Sequence, residues 1–147
     1  MRRKCADKSA PPKLNFHRIS RLNIFHNGRV SSGLAFGFHH CLLVATTTRS
    51  FILLELEIVR GGLVGIRAVE AKDLRSILSE RSNKMAKVQL WDVDRVSAST
   101  LDLQSVIDKY HGKRYDLLHL NCRTFVNEIC RKCSSAKRCG YLDDFLF

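Results

Sequence analysis

Two short stretches of this chain hold residues that together make a thiol nucleophile. Asn121-Cys122 opens the amphipathic run Asn121-Cys122-Arg123-Thr124-Phe125-Val126-Asn127-Glu128-Ile129-Cys130, and about eighty residues upstream stands Phe38-His39-His40-Cys41-Leu42-Leu43-Val44. Asparagine is a favoured helix N-cap, so Cys122 falls in a first helical turn. There its thiol meets unpaired backbone N–H groups and the positive end of the helix dipole, both of which favour the thiolate. At helical spacing Cys122, Phe125, Val126 and Ile129 share one face, which turns the thiol toward the body of the domain, within reach of a strand histidine. Of the six cysteines in the chain, Cys122 is the nucleophile candidate.

The other cysteines invite a different chemistry, which their context disfavours. Cys130-x-x-Cys133 followed by Cys139 has part of the spacing of a zinc site, but Cys130 falls on the buried face of the helix and no fourth ligand stands nearby. No metal and no cofactor is expected. The formal net charge of +11 attracts anionic partners, yet much of it is at the ends, in Arg2, Arg3, Lys4, Lys8 and Lys13 and in Arg131, Lys132, Lys137 and Arg138. Charge alone does not choose among nucleic acid, acidic protein and phospholipid. No apolar run approaches the roughly 18 residues that span a bilayer, and the basic N-terminus lacks the apolar core of an export signal. These features give the expectation of a soluble protein of the cytoplasm or nucleus, with reduced thiols.

The elements that must position these residues follow from periodicity. With 147 residues, 45 % of them hydrophobic, the chain fits one domain, read as 14–147 behind a basic lead-in at 1–13 that ends near Pro11-Pro12. Leu14 to Ile19 and Leu22 to Phe25 alternate loosely, and Asn27-Gly28 is a turn signal. Two stronger strands, Phe38 to Thr46 and Phe51 to Val59, form a hairpin placed at the centre of the sheet. Gly61-Gly62 ends the second, Leu63 to Val69 forms another strand, a helix runs from about Ala71 to Ser82, and Lys87 to Val93 alternates as a strand. Ser99-Thr100-Leu101-Asp102 reads as a capping box, and Leu103, Val106, Ile107 and Tyr110 continue a helix that stops at His111-Gly112. The cysteine helix runs to about Lys132. Strands followed by packed helices with no internal repeat give an α+β domain.

His39-His40-Cys41-Leu42-Leu43-Val44, followed by Tyr115-x-Leu117-x-x-x-Asn121-Cys122-x-x-Phe125-Val126, resembles the circularly permuted papain-like thiol hydrolases of the NlpC superfamily, in particular the lecithin:retinol acyltransferase-like and PPPDE groups. The histidine strand precedes the cysteine helix here, which is the permuted order. The resemblance implies a permuted papain-like fold, an antiparallel sheet packed against the cysteine-bearing helix. It also implies a nucleophile, a strand base and a third polar residue that orients the imidazole. Cys122 takes the first role. His39 is favoured for the second because the small Cys41 follows it by two, and His40 stays open because a one-residue slip exchanges the two faces of a strand. Glu55 or Glu57 on the partner strand takes the third, with Glu55 deeper in the apolar run. Arg123-Thr124 stands where acyltransferase-like members carry Glu-His, and the PPPDE motif around the cysteine is not reproduced, so the subfamily is open.

The functional expectation is a cysteine-dependent hydrolase or acyl-transfer enzyme that cleaves an amide, thioester or ester of a protein or acyl-bearing substrate through an acyl-cysteine. Two other classes compete. One is an inactive papain-like domain that binds a protein partner; the other is a basic nucleic-acid-binding module, which would need a contiguous Lys/Arg face and stacking aromatics that the sequence does not display.

Overall fold

A computed structural model describes residues 10–27, 41–77 and 88–135. It is an α+β domain built on an antiparallel sheet. The strands are β1 (Arg18–Asn27), β2 (Cys41–Thr47), β3 (Phe51–Val59), β4 (Leu63–Ala71), β5 (Val88–Asp92) and β6 (Ala98–Ser99). Residues 74–77 are the described part of a helix, α1; α2 (Thr100–Tyr110) and α3 (Cys122–Cys133) complete the order. The sheet runs β4-β3-β2-β1-β5, with β6 also pairing β1. β2 is therefore central and the β2–β3 hairpin lies inside the sheet, as its continuous apolar runs require.

Strand alternation divides the core in two. Cys41, Leu43 and Ala45 of β2 and Ile52, Leu54 and Leu56 of β3 are buried in one cluster with Leu103, Val106 and Ile107 of α2 and Phe125, Val126 and Ile129 of α3. Leu42, Val44 and Leu53 point the other way and pack with Phe25 and Ile77. Which residues of β3 face α3 is thus fixed by parity.

The ends of the elements follow local chemistry. In α2 the Ser99 Oγ accepts from the Leu101 amide while Asp102 accepts from the Ser99 amide, the expected capping box. The helix stops at His111, followed by Gly112 at φ +79°. The β3–β4 turn uses Gly61 and Gly62 at φ +84° and +74°, a conformation that L side chains rarely adopt. Three strand spacings separate β1 from β4, about 14 Å in a flat sheet. Yet His17, just before β1, stands 3.5 Å from the Glu70 carboxylate of β4. The sheet curls at that end. The expected strand over Leu14 to Ile19 begins only at Arg18, because 14–17 is held instead by side chains of α2: Gln104 accepts from the Leu14 amide and Thr100 from the His17 amide.

Candidate functional site

Asn121 builds the start of α3. Its Oδ1 accepts from the amides of Arg123 and Thr124 at 2.9 and 3.0 Å. Its own amide donates to Thr124 Oγ1 at 2.9 Å. Its Nδ2 reaches back to the Leu117 carbonyl at 2.7 Å, so one buried side chain ties the preceding loop to the helix. That loop is closed by paired backbone bonds between Asp116 and Leu120. It is further fixed by the Asp116 carboxylate, which accepts from the amides of Leu118 and His119. Those two amides hold the Asp116 carboxyl below its ordinary pKa.

Cys122 follows as the first residue of α3 and packs beside Tyr115 and Leu120 against the helix-side core. It is only half-buried, whereas Cys41, Cys130 and Cys133 are each 1 % exposed. Cys133 is further disabled: burial first, then the Asp102 carboxylate, pushes its thiol up to about 12. Cys130 and Cys133 sit on the core side of the helix, and among the described residues no three His, Cys, Asp or Glu side chains cluster as a metal would need.

The first turn of α3 has an unusual charge pattern. α2 follows the ordinary rule, with Asp102 in its first turn and Lys109 in its last. The first turn of α3 has no acid and carries Arg123 instead, a cation placed against the positive end of the dipole. This disfavours the helix and favours an anion beside it, such as a thiolate. Nothing in the local pattern around Tyr115 marks it as a neighbour of the thiol. In the structure, burial first and then the nearby Cys122 raise its phenol pKa, with Arg123 acting in the opposite sense, so it remains a neutral O–H donor next to the thiol.

The cap engages most of the amides that open α3. Of the first-turn amides, those of Arg123 and Thr124 are taken by Asn121 Oδ1 and that of Phe125 by the Asn121 carbonyl.

His39 and His40 lie outside the described residues, which resume at Cys41. Cys41 itself faces α3. Glu55 and Glu57 lie elsewhere than the motif implied. Leu54 and Leu56 point to the helices, so Glu55 and Glu57 share the face of Leu53. The sheet stands between these carboxylates and Cys122, and the structure does not bring them together. Phe51 to Leu54 and Leu56 put apolar side chains on both faces, so the pattern held no sign of which face α3 covers. Glu55 is 4 % exposed and has Arg67 as its cross-strand neighbour, the type of partner a buried carboxylate needs. His111 also approaches the helix-side layer, but its Nδ1 accepts from the Ile66 amide at 3.1 Å, which leaves the neutral ring's proton on Nε2. His119 is exposed on the loop.

Comparison with known proteins finds no family model, no curated protein and no solved structure that matches the chain.

Proposed function

We propose that this chain is a cysteine-dependent hydrolase or acyl-transfer enzyme of permuted papain-like fold, with Cys122 as nucleophile and a histidine of the β2 approach as base. The observation that carries the reading is the setting of Cys122: first in a capped helix, half-buried where the other described cysteines are sealed, with Arg123 and no acid in its turn. His39 is favoured as base. The small Cys41 follows it by two, as the resemblance implies, and Cys41 packs on the face of α3.

The base takes the thiol proton, and the thiolate attacks a carbonyl carbon of an amide, thioester or ester. The tetrahedral intermediate collapses with loss of the amine, thiol or alcohol, protonated by the imidazolium. Water or a second nucleophile then attacks the acyl-cysteine and returns the thiol. The Cys122 amide and the Tyr115 hydroxyl are the donors suited to the developing oxyanion. The test is acylation by a small activated ester or thioester, with the intermediate trapped in acid and mapped by peptide mass. Acyl on Cys122, lost in Cys122→Ser and in one histidine variant, supports the reading; acyl spread over several cysteines refutes it.

The face on which Glu55 and Glu57 lie favours a second reading, an inactive papain-like domain that binds protein, since these β3 carboxylates lie across the sheet from Cys122. Under that reading Cys122 reacts no faster than an ordinary surface thiol.

A further inference from the structure

Six large apolar side chains are largely exposed among the described residues, and four of them stand at one end of the molecule. Ile58 (59 %) and Leu63 (40 %) flank the β3–β4 turn, and Leu117 (43 %) and Leu118 (76 %) project from the loop before Cys122. The two tips are joined: the Tyr115 amide donates to the Gly62 carbonyl at 2.9 Å, the Val64 amide to Lys113 at 2.7 Å, and Leu63 pairs with Arg114. The leucines are not exposed by a loose loop. Asp116 and Leu120 close it through two backbone bonds, the Asp116 carboxylate holds two more amides, and Asn121 holds the Leu117 carbonyl. A loop this well fixed presents its two leucines to solvent as a permanent feature.

The charges around these tips are predominantly basic. Arg60, Lys113, Arg114 and Arg123 surround them, and none forms an ion pair among the described residues. The nearest acids are Asp116, whose carboxylate is engaged by loop amides, and Glu57, half-buried on β3.

We infer that this end of the molecule docks on an anionic phospholipid surface, with the leucine tips entering the interfacial layer and the four cations meeting headgroup phosphates and carboxylates. The side chains decide for a bilayer over an acidic protein. Protein hot spots are aromatic or arginine anchors seated in pockets, whereas here the exposed groups are aliphatic, sit on protruding turns and have basic flanks, which suits an interfacial bilayer contact. Docking would set the Cys122 end of α3 against the lipid. It requires no reactivity of the thiol.

The test is cosedimentation of the full chain with sucrose-loaded vesicles of phosphatidylcholine alone or with about 30 % phosphatidylserine. Binding should be at least about tenfold stronger with the anionic lipid and weaken with salt. Leu117→Ser/Leu118→Ser should weaken it about tenfold. Lys113→Gln/Arg114→Gln should weaken it about twenty-five-fold, at roughly fivefold per charge. Lys72→Gln/Arg75→Gln, which removes the same charge from exposed positions at the other end of β4, should change it less than about twofold. Cys122→Ser should bind like the parent, which separates docking from catalysis. Equal loss in the Lys72/Arg75 variant, or indifference to the leucines, would reduce the effect to net charge and overturn the inference. So would retention on immobilised polyglutamate without any binding to vesicles.

Discussion

Asn121 allows the two roles of the α3 cap, holding the helix and sustaining a positive field at Cys122, to be separated. Asn121→Ala removes two accepted bonds from helix amides and one donated to Leu117. Loss of an N-cap side chain costs about 1 kcal/mol, and the bond to Leu117 adds about 1 more. A loss of about 2 kcal/mol lowers the melting temperature of a domain of this size by roughly 4 to 8 °C. Asn121→Asp keeps both accepted bonds and suits the dipole, but turns an oxygen toward the Leu117 carbonyl, so it should cost about 1 kcal/mol. Its new negative charge stands beside Cys122 and disfavours the thiolate. One unit of such a shift is about a tenfold loss of thiolate. Melting temperature should therefore fall in the order parent, Asp, Ala, whereas iodoacetamide alkylation of Cys122 at about pH 6 should fall in the order parent, Ala, Asp. If the two rankings coincide, reactivity merely follows folding and the field at the helix start is not what activates the thiol.

Among the described cysteines, Cys122 should alkylate before Cys41, Cys130 and Cys133, which are each 1 % exposed; uniform slow labelling, read by peptide mapping, would support the binding module. One of His39→Ala and His40→Ala should remove the reactivity of Cys122 at about pH 6, with His39→Ala the expected one, and an unchanged pH profile in both would remove the base from the mechanism. Glu55→Gln should leave that profile within about twofold, because the carboxylate lies across the sheet from Cys122; a large loss would place Glu55 back in the site. Burial pushes both Tyr110 and Cys133 up to about 12, from 10.0 and 9.0. Above pH 9 the unfolded chain therefore loses protons that the folded chain keeps, and stability should fall progressively between about pH 9 and 12. Cys133→Ala should flatten the lower part of that decline in a melting series, and an identical slope would show that Cys133 is not its source.

Local chemistry in the sequence determined much of this protein. Ser99 and Asp102 cap α2, His111-Gly112 ends it, Asn121 caps α3 and Gly61-Gly62 turns β3 into β4, because caps and turns depend on residues within a few positions of one another. The apolar runs of β2 and β3 likewise foretold an inner hairpin. The side-chain anchoring of 14–17 by α2 was not legible, since Gln104 and Thr100 lie far along the chain. Nor was the partner of each face of β3. A strand buried on both sides shows period two without saying which parity meets a helix, and only packing put Leu54 and Leu56 toward α3 and Glu55 and Glu57 away from it. The sequence thus named Cys122 from its own cap. Which side chains stand around that thiol, Tyr115 among them and Glu55 not, was decided by tertiary contacts, because proximity across a sheet is a property of the layer and not of any local spacing.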